Sequence, residues 1–447
     1  MAINPLASPL LTDLYQLTML QVYVEEGMNE TAVFELFVRK LPPTRGFLLM
    51  AGLESVLDFL EQLRFSEEEL ASLKATGRFS DRLIDYLRRF RFTGDVHALP
   101  EGTVFFENEP IIRVTAPLPE AQLVETRLMN LLHLQILLAS KAARCVLAAA
   151  GRAGLVDFGL RRAHGAEAGM FAARSSFIAG FAASSNVLAE TLYGIPGSGT
   201  MAHSLIEAHD DEREAFVRFA FANPGNVTLL IDTYDTLKGA RKAVEATKYL
   251  RAQGIKVQAV RLDSGDLLRL SREVRHILNR EGLDDVKIFV SGNMDEYAIA
   301  DLLDGKAPID GFGVGTKLDT SDDAPYLECA YKLMEYAGRP RLKKSEGKAT
   351  WPGRKQVFRS YNDGMMTGDL LTVEGDEQPG VPLVEPVMQG GRRISEPITL
   401  KEIAAHAAGQ LAALPTHLRG LKSDTTYPVT ISDALLRLRE GVEEVLV

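Results

Sequence analysis

The sequence places carboxylates directly after several short apolar runs. Asp232 and Asp263 each follow such a run, and we interpret them as functional carboxylates. Asp235 and Asp266 lie closer to the predicted helices that follow, where capping the free N–H groups of the helix is an equally good explanation. The pattern therefore predicts a site at strand ends with Asp232 and Asp263 as its chemical groups.

Glycines and cations near these runs suit the binding of phosphate. Gly292, Gly313 and Gly315 could present backbone N–H groups to a phosphate, although a tight turn is the more common reason for such glycines when they are considered alone. Arg161 offers a guanidinium to a carboxylate or phosphate, or else a surface ion pair. The basic segment 343–348 could be a solvated loop, yet its three lysines around a serine also suit a phosphate monoester. These residue types are compatible with a phosphate-bearing substrate, and the alternatives stay open at this point.

His203 and the two cysteines are less informative by themselves. His203 lies in a turn-rich segment, and a lone histidine is more often a packed or capping residue than a catalyst. Cys145 and Cys329 are far apart, with no CxxC and no neighbouring histidine pair at metal-ligand spacing. We therefore expect neither a disulfide framework nor a zinc site, and a reducing cytoplasm is the expected location.

Alternating strands and helices would position these clusters. From about residue 155, short apolar runs end in polar clusters, at 155–156, 229–231, 257–260, 288–290 and Phe312. Helices are predicted between them, over 238–253, 267–281 and 295–303. Parallel strands joined by crossover helices have their carboxyl ends on one side of the sheet, so the clusters should converge. The pattern predicts an enzyme of the α/β class, with a β/α barrel that we place over residues 133–344.

The remainder of the chain predicts an α+β domain. A helix is expected over 13–23, a strand over 31–38, helical structure over 66–90, and short strands at 96–98 and 111–114. The C-terminal region, with a final helical stretch over 431–446, is expected to complete this domain. Residues 1–132 together with 345–447 would then form the N-terminal domain.

Composition limits the partners. The 447 residues carry 50 Lys and Arg against 60 Asp and Glu, a formal net charge of −10. We therefore expect no nucleic-acid partner and no membrane surface, although a local cationic pocket remains compatible with this charge. The apolar stretch 128–150 is interrupted by charged and polar residues, and we interpret it as a buried helix.

In order along the chain, these clusters resemble those of the nicotinate phosphoribosyltransferases and, more widely, the type II phosphoribosyltransferases, which include nicotinamide and quinolinate enzymes. The resemblance covers about residues 11 to 360. The matching segments are Leu11-Thr-Asp-Leu-Tyr-Gln-Leu-Thr18, Phe34-Glu-Leu-Phe-Val-Arg-Lys40, Ser140-Lys-Ala-Ala-Arg144, Asp157-Phe-Gly-Leu-Arg-Arg162, Gly199-Thr-Met-Ala-His-Ser204, Asp232-Thr-Tyr-Asp235, Arg261-Leu-Asp-Ser-Gly-Asp266, Ser291-Gly-Asn293, Gly311-Phe-Gly-Val-Gly-Thr316 and Gly347-Lys-Ala-Thr-Trp-Pro-Gly-Arg-Lys-Gln356.

The resemblance implies an irregular TIM-like β/α barrel joined to an N-terminal domain that the C-terminal region completes. It also implies a reaction, its co-substrates and the residues that bind them. Nicotinate would receive the ribose 5-phosphate group of phosphoribosyl pyrophosphate, usually with Mg²⁺ and with coupled ATP hydrolysis. Asp232 and Asp263 would hold ribose hydroxyls or magnesium-bound water. His203 would accept a phosphoryl group from ATP. Phe158 and, from the partner chain of a homodimer, Tyr15 would sandwich the pyridine ring.

The resemblance also implies how phosphate groups would be bound. Arg261 would contact phosphate, and the glycines named above would present N–H groups. The 5-phosphate or pyrophosphate would be gripped, partly across the dimer interface, by Arg39, Lys343, Ser345 and Lys348.

One position bears on the choice between acid and amide. The nicotinamide-using relatives carry an aspartate where Ser185 stands, and an aspartate would repel a carboxylate. Ser185 can donate to the carboxylate of nicotinate, and Arg161 could pair with it. His164 and Glu190 depart from the residues common in the family, glutamine and glycine, which affects the detail of the ring pocket. The two distant cysteines exclude the cysteine-rich metal knuckle of some relatives.

Three alternatives are weighed against this reading. A nicotinamide-specific enzyme is disfavoured by Ser185. A silent sugar-phosphate-binding protein on the same fold would not need Asp232, Asp263, His203 and Lys343 together. A barrel phosphatase or aldolase could share the phosphate loops, but an aldolase needs a Schiff-base lysine at a strand end, and none of the predicted strands ends in one.

Overall fold

The structure is a computed structural model that describes residues 6–344, 350–421 and 426–445. In chain order its strands are β1 (Thr31–Val38), β2 (Leu48–Leu49), β3 (Asp95–Ala98), β4 (Val104–Phe105), β5 (Ile112–Pro117), β6 (Gly154–Asp157), β7 (Ala183–Ser184), β8 (Thr228–Leu230), β9 (Ala259–Leu262), β10 (Lys287–Val290), β11 (Gly311–Val314), β12 (Cys329–Tyr336), β13 (Arg339–Pro340), β14 (Lys355–Asn362), β15 (Met365–Val373), β16 (Val381–Pro382), β17 (Glu385–Gln389), β18 (Arg392–Arg393) and β19 (Val429–Ile431).

The helices flank and connect these strands. In chain order they are α1 (Leu14–Glu26), α2 (Leu53–Gln62), α3 (Glu67–Ala75), α4 (Asp81–Arg89), α5 (Leu118–Leu123), α6 (Glu125–Ala149), α7 (Ala166–Ala179), α8 (Val187–Tyr193), α9 (His203–Glu207), α10 (Glu212–Ala222), α11 (Thr236–Ala252), α12 (Leu267–Arg280), α13 (Glu296–Asp304), α14 (Thr316–Asp319), α15 (Leu400–Ala413), α16 (Thr416–Arg419) and α17 (Asp433–Val445), with a 3₁₀ turn at Leu160–Arg162.

The chain divides into two compact units. The first comprises residues 1–137, 326–418 and 422–447, and the second comprises residues 138–325 and 419–421. The predicted division assigned residues 326–344 to the barrel, whereas the structure groups them with the first unit. The reason is that β12 pairs antiparallel with β1, which makes it part of the first unit's sheet.

The first unit is built on an antiparallel sheet with the strand order β13-β12-β1-β5-β3-β17-β18. The strand predicted over 31–38 is β1, and its last seven residues are buried. The helical pattern over 66–90 forms two helices, α3 and α4, because Ser66 and Ser80 each cap a helix N-terminus. In the tail, residues 429–431 form β19 beside β15, and the predicted final helix begins only at Asp433.

The second unit is built on six parallel strands in the order β7-β6-β11-β10-β9-β8. The predicted α/β class is confirmed, and the sheet is a curled half-barrel with β7 and β8 as its edges in the described part of the chain. The predicted apolar runs correspond to five of the strands. The sixth, β7, has two residues, too few for a recognisable pattern. Since all six strands are parallel, their carboxyl ends lie along one edge, which we call the carboxyl edge.

Helix α6 accounts for the apolar stretch over 128–150. Its length and composition would allow it to span a membrane, but 78% of its most apolar window is buried inside the protein. Two of its charged residues, Lys141 and Arg144, are paired within the second unit: Lys141 Nζ lies 2.7 Å from a carboxylate oxygen of Glu296, and Arg144 Nε lies 2.9 Å from the other. The predicted buried helix is therefore confirmed, and Glu296 of α13 is a counter-ion to both of these cations.

Candidate active site

Arg261, at the end of β9, organises the carboxyl edge. Its guanidinium donates four hydrogen bonds: to Ser291 Oγ at 2.9 Å, to Thr200 Oγ1 at 2.6 Å, to the Met201 carbonyl at 3.1 Å and to Asp263 Oδ1 at 3.0 Å. These partners follow β10, precede α9 and follow β9. One side chain therefore fixes three chain segments, because a guanidinium presents its donors in a rigid plane.

Asp232 and Asp263 lie side by side at this edge. Asp232 is buried, and its Oδ2 accepts from the Asp263 N–H at 2.8 Å and from Ser264 Oγ at 2.7 Å. Its Oδ1 is buried and has no hydrogen-bond partner among the described residues. A buried carboxylate oxygen without a donor is costly, so this atom marks a place where a ligand hydroxyl, a water molecule or a cation fits.

Asp263 is held in its charged form. Partial burial raises the pKa of its carboxyl, but hydrogen bonds from Ser291 and Arg261 and the charge of Arg261 outweigh this effect, and the pKa lies below its usual range. Ser291 Oγ donates to the same Oδ1 that Arg261 contacts. At neutral pH the carboxyl edge therefore presents an ionised carboxylate.

His203, the first residue of α9, faces these carboxylates. Its Nδ1 lies 3.1 Å from Thr233 Oγ1, and its Nε2 lies 4.0 Å from Asp263 Oδ2. The side chain is 38% exposed, so a substrate in solution can reach the imidazole. The structure thus brings together His203, Asp232 and Asp263, which the sequence predicted as catalytic groups.

Phe158 forms an aromatic platform beside Arg261. The guanidinium carbon of Arg261 lies 5.7 Å from the centre of the Phe158 ring, and Phe289 packs against the ring at a centroid distance of 5.6 Å. A Cβ on Gly313 would lie only 2.5 Å from Phe158 Cδ2, so glycine is needed there to admit the ring. The phosphate contact predicted for Gly313 stays a prediction, and its contact in the structure is with the ring.

Gly292 also serves a close approach. It has a φ of +90°, and a Cβ there would lie 2.1 Å from the Asp263 carbonyl oxygen. Gly315 directly precedes α14, and a Cβ there would lie 3.1 Å from the Phe158 carbonyl oxygen. Both glycines therefore let backbone segments pass close to residues of the site, and their predicted phosphate contacts are untested.

Ser185 and Arg161 lie near the platform in the chain. Ser185 follows β7, is half-buried, and donates its N–H to the Asp157 carbonyl at 2.8 Å. Arg161 lies in the 3₁₀ turn after β6 and is exposed.

The two aspartates for which helix capping was an equally good explanation, Asp235 and Asp266, are helix caps. Asp235 accepts from the Lys238 N–H and Asp266 from the Arg269 N–H.

The remaining predicted site residues belong to the first unit. Tyr15 is 45% exposed on α1 and lines a cavity of about 410 Å³. Arg39 follows β1, with its guanidinium carbon 5.7 Å from the centre of the Phe37 ring. Lys343 is exposed. Ser345 and Lys348 lie outside the described residues.

Sequence reasoning missed Lys332, a half-buried cation of the first unit. It lines the same cavity as Tyr15, with its Nζ 4.0 Å from Glu125 Oε1. Burial lowers the pKa of this ammonium group, and the nearby charges of Arg39 and Lys343 lower it further, against the effect of Glu125. The signal was available, because Lys332 stands in an apolar run, but that run was not recognised as β12.

Three family models match the chain in order. The N-terminal domain of nicotinate phosphoribosyltransferase matches residues 10–133, the nicotinate phosphoribosyltransferase family matches residues 153–351, and the C-terminal domain of the enzyme matches residues 378–439. The chain belongs to the nicotinate phosphoribosyltransferase family. The resemblance noted from the sequence is thereby confirmed.

Curated and solved relatives agree with this family. The nicotinate phosphoribosyltransferase pncB2 of Mycobacterium tuberculosis is 51% identical over 98% of this chain and 94% of its own length. The nicotinate phosphoribosyltransferase of Bacillus subtilis is 42% identical over 82% of this chain and 76% of its own length. The crystal structure of human nicotinic acid phosphoribosyltransferase superposes with a TM-score of 0.87 at 30% identity, covering 97% of this chain and 99% of that one.

The hydrogen bond from Ser291 to Asp263 should stabilise this member of the nicotinate phosphoribosyltransferase family at neutral pH. In Ser291→Ala, Asp263 loses a donor, so its pKa rises and the protein loses about 1–3 kcal/mol of stability at neutral pH. A depressed pKa stabilises the fold above the pKa of the unfolded chain and loses this effect as the pH falls, so the deficit should shrink at about pH 3. Denaturant unfolding at both pH values measures it.

The matched control is Ser264→Ala, which removes a donor to Asp232 instead. A carbon-13 NMR titration of the Asp263 carboxyl should shift to higher pH in Ser291→Ala and stay in place in Ser264→Ala. An unchanged titration in Ser291→Ala would contradict the role assigned to this contact.

Proposed function

We propose that the protein catalyses the transfer of ribose 5-phosphate from phosphoribosyl pyrophosphate to the ring nitrogen of nicotinate, a step in the salvage of pyridine nucleotides for NAD. The products are nicotinate mononucleotide and pyrophosphate. The observation that carries this proposal is the buried, unpartnered Oδ1 of Asp232 beside the ionised Asp263, in a chain of this family. The oxygen of Asp232 and the carboxylate of Asp263 together suit a ribose that carries positive charge.

The reaction requires negative charge near the sugar. The nicotinate nitrogen forms a bond to the anomeric carbon while the bond from that carbon to the pyrophosphate oxygen breaks, and the bonding electrons leave with pyrophosphate. Positive charge develops on the ribose in the transition state, so fixed carboxylates stabilise it. Asp232 and Asp263 fill this role, and Arg261 keeps both in position because it holds Asp263 directly.

The ring of nicotinate would lie on Phe158. Aromatic faces stack at little cost, and the Phe158 ring is already fixed by Arg261 and Phe289. Ser185 would donate to the nicotinate carboxylate, and the exposed Arg161 would pair with it. Both groups are donors, which favours the acid over nicotinamide.

The phosphate groups would be bound by cations of the first unit. The predicted phosphate-binding residues are Arg39, Lys343, Ser345 and Lys348. The buried Nε of Arg39 has no hydrogen-bond partner among the described residues. Lys332 adds a cation to this group, because the positive charges of Arg39 and Lys343 lower the pKa of its ammonium group. Gly292, Gly313 and Gly315 remain proposed donors of backbone N–H groups.

The acidic pair also fits Mg²⁺. Magnesium usually binds one or two protein carboxylates together with substrate phosphates. No group of three or more His, Cys, Asp or Glu side chains able to hold a metal is found within the described residues. Asp232 and Asp263 would hold the ion jointly with the substrate, and the bound ion would supply positive charge opposite the pyrophosphate.

ATP would act through His203. The imidazole would accept the γ-phosphoryl group of ATP, releasing ADP, and water would later hydrolyse the phosphohistidine to histidine and phosphate. Exposure of the imidazole and its position between Thr233 and Asp263 support this role. The phosphorylated state would favour productive binding of the substrates.

The proposal is tested by mononucleotide formation from phosphoribosyl pyrophosphate with nicotinate, nicotinamide or quinolinate, each with and without ATP. We expect product with nicotinate and a higher rate with ATP. Efficient turnover of nicotinamide instead would show that the amide is the substrate. No product from any of the three would refute the proposed enzyme.

His203→Ala tests the phosphohistidine. The variant should retain slow phosphoribosyl transfer and lose its stimulation by ATP, because the acceptor nitrogen is gone. His209→Ala is the matched control, since His209 lies just after α9 with its Nδ1 2.8 Å from the Leu205 carbonyl. Acid-labile label from γ-labelled ATP should appear in the wild type and the control. Its persistence in His203→Ala would exclude His203 as the acceptor.

Ser185→Asp tests the choice of substrate. A carboxylate at this position repels nicotinate and accepts from the amide of nicotinamide, so the ratio of kcat/KM for nicotinate to that for nicotinamide should fall by about tenfold or more. Ser185→Ala separates loss of the donor from gain of the charge. An unchanged ratio in Ser185→Asp would remove Ser185 from the ring pocket.

Subunit mixing tests the proposed homodimer, in which Tyr15 completes the partner's ring site. Tyr15→Ala and Asp232→Ala would each inactivate both sites of their own dimer. In a mixed dimer, one site would carry both substitutions and the other site would carry neither. About half of the dimers in an equal mixture are mixed, so the mixture should regain about a quarter of the wild-type activity. No recovery after confirmed exchange of subunits would place Tyr15 and Asp232 in the same chain's site.

A further inference from the structure

Two carboxyl groups are buried together behind the ring platform. Asp157, the last residue of β6, is fully buried, and Asp319, the last residue of α14, is 1% exposed. A Cβ on Gly159 would lie 2.1 Å from Asp319 Cγ, so the Asp319 carboxyl occupies the space that a side chain at Gly159 would need. The two aspartates therefore pack against the backbone that directly follows Phe158.

The hydrogen bonds of this pair are unequal. Asp157 Oδ1 accepts from the Gly159 N–H at 2.8 Å, and its Oδ2 accepts from Ser184 Oγ at 2.6 Å. Neither oxygen of Asp319 accepts a hydrogen bond from any described residue. Two buried carboxylates in contact cannot both be ionised, and Asp157 already has donors for its charge. The proton therefore belongs on Asp319, whose O–H donates to Asp157.

The surrounding charges agree with this distribution. Burial, the charge of Asp157 and the hydrogen bond between the two groups raise the pKa of Asp319 to about 9. Gly159 and Ser184, from the segment after β6 and from β7, face Asp157 as neutral donors. Lys317, the cation of α14, is engaged by Asp295 at 2.5 Å. Asp319 is thus neutral at physiological pH.

The contacts of the pair lead to two of the predicted ring-binding residues, Phe158 and Ser185. The Gly159 N–H that Asp157 accepts lies one residue beyond Phe158. Ser184 Oγ donates to Asp157 and also accepts from the Asn186 N–H at 3.1 Å. Ser184 and Asn186 are the two chain neighbours of Ser185, so these hydrogen bonds hold the backbone on both sides of it. The Ser185 N–H itself donates to the Asp157 carbonyl.

We propose that Asp157 and Asp319 share one proton and form a positioning pair that holds Phe158 and Ser185 in the geometry that receives the pyridine ring. The inference rests on the proposed function, because it assigns the pair to nicotinate binding. Neither aspartate touches the substrate. They act through Gly159 and Ser184.

This role implies a pH dependence with a defined sign. Asp319 has a raised pKa, so the pair is intact below the folded-state pKa of about 9 and is lost as the pH rises through it. Two buried carboxylates then repel each other, and the Gly159 segment loses its fixed position. The KM for nicotinate should rise on the alkaline side, whereas the KM for phosphoribosyl pyrophosphate should change little.

Asp319→Asn is the decisive variant, because its amide N–H₂ donates to Asp157 and does not titrate. Between about pH 7.5 and about pH 9.5 the KM for nicotinate should rise at least about fivefold in the wild type and less than about twofold in the variant. At neutral pH the two proteins should agree within about twofold. Asp319→Ala, which lacks the donor, should have a raised KM for nicotinate at all pH values.

Asp301→Asn, on the exposed part of α13, is the matched charge-removing control and should follow the wild type. The proton itself is tested without any activity, through the infrared band of a protonated carboxyl at neutral pH. It should be equally strong in the wild type and in Asp301→Asn and weaker in Asp319→Asn, where only other buried carboxyls with a raised pKa, such as Glu109, contribute to it.

The outcomes separate the two claims. An equal infrared band in wild type and Asp319→Asn would overturn the shared proton. The predicted band with the same alkaline rise of KM in wild type and Asp319→Asn would overturn the positioning role. A wild-type protein that shows the band but fails to bind or convert nicotinate would refute the proposed function, and with it the assignment of the pair to nicotinate.

Discussion

The guanidinium of Arg261 is the interaction on which the rest of the site depends. It binds Asp263, Ser291, Thr200 and the Met201 carbonyl, and it lies over the face of Phe158. Its hydrogen-bond partners belong to three segments: one follows β9, one follows β10, and the third, with Thr200 and Met201, precedes α9. A planar group with fixed donors can hold such segments in register, whereas a lysine could supply only a point charge.

The parallel sheet makes this arrangement possible. Because all six strands end along one edge, groups 30 or so residues apart in sequence become neighbours, as Asp232 and Asp263 do. The charge balance of the site follows from this placement: Arg261 keeps Asp263 ionised, and Asp232 retains one buried oxygen without a protein donor. This charge balance supports the proposed binding of a sugar that becomes positively charged. The net charge of −10 is a property of the whole chain and is compatible with a separate group of cations around Arg39, Lys332 and Lys343.

Much of this could be predicted from the sequence, for physical reasons. Strand β1 and the strands ending before Asp232 and Asp263 have apolar runs with clear ends, and His203 was identified through its motif. The short β7 carries no such pattern. The apolar run of β12, which Lys332 and Glu335 interrupt, was not recognised as a strand, so residues 326–344 were assigned to the barrel and Lys332 was missed. Asp319 could not be identified either, since its burial against Gly159 and Asp157 arises only from the tertiary fold. Gly313 was identified in its glycine-rich motif, but its contact with the Phe158 ring could not be predicted, because that contact also arises only from the tertiary fold.

In the proposed function, the carboxyl edge, organised by Arg261, binds the ribose through Asp232 and Asp263. A crystal structure of the protein with nicotinate mononucleotide and pyrophosphate would show whether it does. We expect a ribose hydroxyl, or a water bound to Mg²⁺, within hydrogen-bonding distance of Asp232 Oδ1, with the pyridine ring on Phe158 and the four contacts of Arg261 intact. A mononucleotide bound away from this edge, with Asp232 Oδ1 still without a partner, would contradict it.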